Sequence, residues 1–597
     1  CLTPVDRLGP VVEGVGASPG MVFGRAVVLD RGRATYPKTH VEEKATTSEC
    51  RRLDHAVAAS VQQLRRLKSR VGGTQFAEHT KILEAHELML QDDLLIDGTK
   101  DQIRTERINA EWALQRTLNQ IAEFFSDLDD EYIRERATDV ETVGERIMRN
   151  LTGEHFESLV ELLTRVKEPS ILVAERLTPA DAVQLFDTNI VGFCIDEGTR
   201  TTHTAIAARS LEIPAVVGAP GLAEHIGAGD QIIVDGDAGE VVIRPSQSQI
   251  RKYTARDEEL RAVRDRLDQK RSPSAATSDG FEVVLSANID LTPELDAAVA
   301  RGAQGVGLFR TEYLFMNRTD LPSEDEQFEA YREVLERAAP YPATIRTVDI
   351  GGDKLELPKS TGRALNPFFG MRALRYCLKE RSLFKTQIRA LLRASAFGRL
   401  RLLLPFVTDV LEVRESKRII REVETELQGQ GYLVSDSIEL GVLIEIPAAA
   451  LIADVLAREV DFFSVGTNDL IQYTLAAARD IAELGYLYHP LHPAVLRVLR
   501  LTSDAAHREG IRLCMCGEMA GEPLYTVVLL GYRFHELSMT PSSLPVVREI
   551  IRRSALSEAR ALADKVQYFG TYAEVNGDVR RYMDAHFPDL IPLLSGD

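Results

Sequence analysis

From residue 281 onward, eight short β-like runs alternate with segments of helical character. They are VVLSAN (283–288), GVGLFRTE (305–312), ATIRTVDIGG (343–352), LRLLLPFV (400–407), LGVLIEIP (440–447), VDFFSVGTND (460–469), RLCMCGEM (512–519) and HELSMT (535–540). Each is rich in Val, Ile, Leu or Phe, and turn-forming residues separate them. Consecutive parallel strands need crossovers, usually helical, and eight βα units in roughly 300 residues predict a (β/α)8 barrel over 281–590. In such barrels the chemistry gathers at the C-terminal ends of the strands. There the sequence sets Asn288, Arg310, Arg346, Asp349, Glu445, Asn468, Asp469 and Cys516. Packing alone does not call for such a ring of arginine, acid and amide.

The 597 residues leave room for further domains. Residues 12–35 and 150–247 read as an α/β domain, with strands at SILVAERL (170–177) and IVGFCIDEG (190–198) and a helix at TAIAARSLEI (204–213). Residues 36–149 interrupt it with apolar residues at helical spacing, as expected of a helical bundle. An exposed charged helix at 248–271 and a flexible SPSAATSDG stretch (272–280) read as linker and hinge. Lys plus Arg is 71 and Asp plus Glu is 90, giving −19, the wrong sign for coating a nucleic acid. Six cysteines make no disulfide framework, and no apolar run reaches the ~18 residues of a membrane span, so the expected location is cytoplasmic. The chain begins with Cys1, as expected of a processed or truncated piece.

Arg310 and Arg346 close neighbouring strand runs, and their guanidinium forks suit phosphate or carboxylate. The bland reading is a pair of surface salt bridges. Arg479, past the sixth run, is a candidate third clamp. Glu445 and Asp469 end consecutive runs, where two carboxylates suit Mg²⁺. The competing reading makes Asn468 and Asp469 caps of the helix that follows. Cys514-Met515-Cys516 lacks a second pair at zinc spacing. Cys516 is either a packed strand residue or a thiol able to give or take a proton. His203, in TRTTHT (199–204), precedes a helix whose N–H groups and dipole would favour a phosphate on the ring. Arg200 and Thr178 are its candidate helpers.

These segments resemble Enzyme I of the phosphoenolpyruvate:sugar phosphotransferase system, and the resemblance runs from GASPG (16–20) to about residue 590. It is carried by EGTRTTHTAIAARSLEIPAVVG (197–218), GVGLFRTEYLFM (305–316), IRTVDIGGDK (345–354), NPFFGMRALR (366–375), IEIPAAA (444–450), DFFSVGTNDLIQYTLA (461–476) and CGEMAG (516–521). The resemblance implies that His203 accepts phosphate from phosphoenolpyruvate, with Thr178 orienting its ring. It implies that Arg310, Arg346 and Arg479 grip the substrate, that Asn468 contacts it, and that Lys354, Asp349, Asn366 and Arg372 support them. Glu445 and Asp469 would hold Mg²⁺, and Cys516 would protonate the enolate. A small HPr-type phosphocarrier would dock on the helical insert around ILEAHELMLQDDLL (82–95), and the barrel would form a homodimer.

The chain departs from the family pattern in three places: Thr199 and Thr202 within the histidine segment, Ala478 before Arg479, and the longer stretch ahead of GASPG. That stretch fits the stub of a sensory domain, as in the nitrogen-regulatory paralogue with its NPr-type carrier. A phosphoenolpyruvate synthase or pyruvate phosphate dikinase shares barrel and histidine domain, but no nucleotide-binding Gly-rich loop is evident ahead of His203.

Overall fold

A computed structural model of the chain describes residues 9–29, 36–70, 87, 89–90, 92–126, 131–153, 159–177, 185, 188–197, 208, 213–268, 274–290, 292, 294–315, 321–350, 370–478 and 482–593. The chain divides into two units at residues 250/251. In the first, β1 (Val11–Glu13), β2 (Val15–Ser18), β3 (Met21–Leu29), β4 (Ser170–Ala174), β5 (Ile190–Ile195), β6 (Ala215–Val217), β7 (Gln231–Asp235) and β8 (Glu240–Ile243) form one sheet. Its order is β1-β8-β7-β3-β4-β5-β6-β2, with β3 to β6 parallel and antiparallel pairs outside them. Every residue of β4 is buried, as expected of a strand covered on both faces. Leu172 and Ala174 pack with Phe193 and Leu162 on one face, Ile171 and Val173 with Val216 and Leu222 on the other.

The helical insert lies between β3 and β4, which are themselves paired neighbours from Arg25↔Ser170 to Leu29↔Ala174. Its helices span Thr46–Arg70, Asp93–Glu106, Ala110–Ser126 and Glu131–Thr152. They share a core of Leu53, Leu64, Leu90, Ile103, Leu114 and Ile147. Within the expected docking segment, Leu90 and Leu95 belong to this core, whereas Leu94 is 78% exposed. The Asp92 side chain caps the helix that follows by accepting from Leu94 N at 2.8 Å. Thr178, Arg200, His203, Lys354, Asn366 and Arg479 lie outside the described residues.

The charged helix is present as Gln247–Asp268, but it is not exposed all round. Tyr253, Leu260 and Leu267 are buried along one face. The stretch expected to be flexible differs too. Ala275–Ala276 is a strand, β9, antiparallel to the first barrel strand. Asp279 accepts from the N–H groups of Leu556 (2.7 Å) and Ser557 (3.1 Å), which holds its carboxyl below the ordinary range. Ser, Thr and Asp make good linkers, but they also make caps and turns, and here they do the second.

The eight predicted runs are all strands: β10 (Glu282–Ile289), β11 (Val306–Phe309), β12 (Pro342–Arg346), β13 (Arg399–Leu404), β14 (Glu439–Ile444), β15 (Phe462–Val465), β16 (Arg512–Met515) and β17 (Glu536–Met539). Each pairs parallel with the next, and β17 pairs with β10, so the barrel closes and its strands leave no free edge. Leu308, Leu403, Leu443 and Phe462 fill the interior with Cys514 and Cys516. Nearer the strand starts, Arg401 reaches Glu536 at 2.7 Å, both almost fully buried, and Ser286 donates to the same carboxylate at 2.7 Å. Among the described residues no helix is long and apolar enough to cross a membrane. Removing one partner of a buried ion pair strands the other charge. Glu536→Ala should therefore lower the stability of the barrel by about 3 kcal/mol, read as a fall in its denaturant midpoint.

Candidate active site

Every strand from β10 to β16 delivers a polar group or a backbone donor to one end of the barrel. Arg310 follows β11 and Arg346 closes β12. Arg310 Nη1 lies 3.2 and 3.3 Å from the Asp290 carboxylate. Arg346 lies 3.0 Å from Glu312 and 3.1 Å from Asp349. Asp290 raises the Arg310 pKa despite burial and the nearby Arg346. Burial works against the Arg346 charge, but Glu312 and Asp349 outweigh it and its pKa is raised. Both arginines thus remain cations at one mouth. They are not surface ion pairs: Arg346 is only 12% exposed.

Glu445 follows β14 and Asp469 lies in the first turn of the helix Thr467–Leu475. With Asp349 they place three carboxylates whose candidate ligand atoms lie within 4.8 Å of one another. Burial raises the Glu445 pKa well above the ordinary range, Asp349 and Asp469 push it further, and Arg346 and Arg372 offset only part of this. Such a cluster calls for a cation. Oxygen donors alone, with no thiolate or imidazole in the set, suit a hard divalent ion such as Mg²⁺. The capping alternative fails. The helix is entered through Gly466 with no side-chain cap, which leaves Asn468 and Asp469 free for other partners.

Asn468 exchanges hydrogen bonds with Glu518: the Glu518 N–H donates to Oδ1 at 3.0 Å, and Nδ2 donates to Oε1 at 3.4 Å. Cys516 follows β16, and its thiol is buried inside the barrel. Burial pushes the thiol up, the Ser464 hydroxyl and Arg346 and Arg310 pull it down, and Glu445 adds to the rise. Cys516 is therefore protonated at neutral pH and faces both arginines. Cys514 points into the same interior, but deeper, against Glu536. Asn288 does not face the mouth as a free amide. It donates to the Cys516 carbonyl at 2.9 Å and accepts from Ser538 at 2.7 Å, so it fixes the loop.

Some site groups escape sequence reasoning, and others have partners it does not give. Asp349 joins the acid cluster and also binds Arg372 at 2.9 Å, while Arg372 reaches Asp469 at 3.6 Å. Asp290 and Glu312 hold the two arginines. Phe406, after β13, has a left-handed backbone (φ 58°). Its N–H donates to Glu445 Oε1 at 2.6 Å, and its ring lies 4.8 Å beneath the Arg372 guanidinium. Asp349 and Arg372 are expected from the sequence, though Asp349 as a third acid of the cluster is not; Asp290, Glu312 and Phe406 the sequence does not single out.

Gly517 joins Cys516 to Glu518, and a Cβ there would collide with the Thr467 backbone N and hydroxyl. Gly517→Ala should separate the Cys516 loop from the Asn468–Asp469 turn. A misplacement of about 1 Å can cost ~100-fold in rate, so turnover should fall by about that factor with little change in the unfolding midpoint. A second outcome concerns the acids. Mg²⁺ or Mn²⁺ should raise the melting temperature of the protein at neutral pH, and Glu445→Gln should abolish that rise, as calorimetry would read it.

Three known families match along the chain: "PEP-utilising enzyme, N-terminal" over residues 13–136, "PEP-utilising enzyme, mobile domain" over 166–239, and "PEP-utilising enzyme, PEP-binding domain" over 264–556. The phosphoenolpyruvate-protein phosphotransferase of Geobacillus stearothermophilus is 41% identical over 574 residues, 96% of this chain and 98% of that protein. That of Bacillus subtilis (strain 168) is 40% identical over 568 residues, covering 94% and 98%. That of Staphylococcus carnosus (strain TM300) is 40% identical over 575 residues, covering 96% and 99%. With likeness of this extent across three domain types and a barrel mouth lined with cations and acids, the chain belongs to the phosphoenolpyruvate-protein phosphotransferase family.

Proposed function

We propose that the protein moves the phosphoryl group of phosphoenolpyruvate to His203, releases pyruvate, and passes the group to a histidine of a small HPr-type phosphocarrier, the first step of the sugar phosphotransferase system. Phosphoenolpyruvate-dependent phosphotransfer is the activity of the family. The observation that supports this route most is the convergence of Arg310, Arg346 and the protonated Cys516 beside the acid cluster. Nothing among the described residues favours the nitrogen-regulatory paralogue and its NPr-type carrier. The relatives' name also departs from the synthase and dikinase reading.

Phosphoryl transfer asks for positioning and charge neutralisation. Arg310 and Arg346 bind the phosphate, with Arg479 and Lys354 as further cations and Arg372 between the acids and the substrate. Asn468 contacts the substrate, its amide oriented by Glu518. Glu445 and Asp469 would hold Mg²⁺, with Asp349 beside them. Bound there, the ion would neutralise charge on substrate oxygens. His203 attacks as a neutral imidazole, oriented by Thr178, and its phosphoramidate stays reactive enough to pass on. As the leaving enolate collapses to pyruvate, the Cys516 S–H bond breaks and a C–H bond forms at the methylene carbon. In this reading the carrier docks on the helical insert, where Leu94 supplies exposed apolar surface among acids. The barrel forms the homodimer, and the protein works in the cytoplasm, where its substrate is made.

Mixing the protein with phosphoenolpyruvate and Mg²⁺ should add one acid-labile phosphoryl group by intact mass, and His203→Ala should add none. A phosphoenzyme in that variant refutes the assignment. Glu445→Gln should lose most phosphoenolpyruvate-dependent labelling yet accept phosphate back from a phosphorylated carrier, because that step does not use the barrel. Equal loss of both would count against two sites.

A further inference from the structure

Ser464 carries a hydroxyl beneath the mouth, and nothing so far assigns it a part in the reaction. It lies on β15 between Phe463 and Val465, and strand alternation turns it inward with Phe462. It pairs in register with Leu443 on one side and Cys514 on the other, both members of the apolar interior. It is 1% exposed. A hydroxyl buried among such groups costs stability unless it is hydrogen-bonded. The bond it makes in the described structure is to Cys516 Sγ, at 3.2 Å. The next acceptor near that sulfur, the Val465 carbonyl, is 3.8 Å away.

A thiol sulfur is a weak acceptor, whereas a thiolate is a strong one. The Ser464 bond is therefore weak while Cys516 holds its proton and strong once the proton has left. An interaction that strengthens as the reaction proceeds accelerates it, whereas one equally strong throughout does not. An apolar residue in this layer would deprive the new thiolate of that bond. The charged and titratable groups that act on Cys516 are Arg346 at the end of β12, Arg310 after β11, Glu445 after β14 and Cys514 on its own strand. Glu445 opposes the thiolate, so the two arginines do not act alone.

We propose that Ser464 is a positioning residue for the proton donor: its O–H aims the Cys516 sulfur and stabilises the thiolate left when Cys516 protonates the enolate. The inference rests on the reading of Cys516 as that donor. In the step, the electron pair of the enolate takes the S–H proton to form the pyruvate methyl group. The pair of the S–H bond stays on sulfur, where it accepts from Ser464 Oγ. Solvent then restores the thiol.

Run in reverse, the same thiolate removes a methyl proton from pyruvate, so exchange of pyruvate's methyl hydrogens in D₂O reports it directly. With Mg²⁺ present, proton NMR should find exchange in Ser464→Ala slowed about tenfold or more, with its rise shifted to higher pH because less Cys516 is ionised at a given pH. Ser464→Thr, which keeps the hydroxyl, should restore the wild-type pH profile. The rise in melting temperature on adding Mg²⁺ should persist in both, which shows an intact barrel mouth. An unshifted profile and rate in Ser464→Ala overturns the inference. Wild-type exchange in Cys516→Ala overturns it by its premise instead, since Cys516 would then not be the proton donor.

Discussion

Three carboxylates crowded at the end of a barrel repel one another, and much of the site serves to keep Asp349, Glu445 and Asp469 together. Repulsion between charges a few ångströms apart amounts to several kcal/mol at a partly buried site. Arg372 bridges two of the three. Arg346 binds Asp349 from the other side, and the Phe406 N–H takes one oxygen of Glu445. Phe406 sits in a strained backbone conformation for this purpose, and its ring also supports the arginine that bridges the acids. The strain is offset by bonds that no relaxed residue at that position would make.

The closed barrel makes that crowding possible. Neighbouring strands lie about 4.8 Å apart, so side chains leaving adjacent strand ends meet whether or not they attract. The interior beneath is mostly apolar, and several of its polar members are paired. Ser464 bonds to Cys516, Asn288 to Ser538 and the Cys516 carbonyl, and Ser286 and Arg401 to Glu536. The first two pairings brace the loop that carries the thiol, and the third joins β13 to β17 across the base. Close contact between Gly517 and Thr467 then locks the Cys516 loop to the acid-bearing turn. Catalytic groups on separate strands thus share one rigid frame.

The strands were legible because each is a short apolar run between turn signals, and the barrel's parallel order leaves one end for polar residues. Arg310, Arg346, Glu445, Asn468, Asp469 and Cys516 all lie where that logic puts them. The partners of these groups were not legible. Whether Asp349 turns toward Arg346 or away, and whether Asp290 meets Arg310, depends on register between strands, which local sequence does not encode. Phe406 looks like one more apolar residue, because a positive φ leaves no mark on a non-glycine. The misread linker has the same origin. Two alanines beside a Ser-Pro pair carry little strand signal, yet β9 exists because Glu282 and Val283, at the start of β10 ahead of its barrel pairing, bond to it.

The charges of the described mouth suggest what else the reaction needs. Arg310, Arg346 and Arg372 give +3, and Asp290, Glu312, Asp349, Glu445 and Asp469 give −5, a balance of −2. One divalent cation brings this to zero. Phosphoenolpyruvate adds a carboxylate and a phosphate of about −1.5 to −2, so an excess of nearly three negative charges remains. Arg310 and Arg346 are already paired with acids, so in the proposed reading gripping the phosphate means sharing them. Proton retention by Glu445 would relieve one charge but leave one fewer anionic ligand for the cation. In the proposed reading the further cations are Lys354 and Arg479, which follow β12 and β15 in sequence. The acid cluster therefore sets a demand for positive charge at the mouth before an anionic substrate can enter.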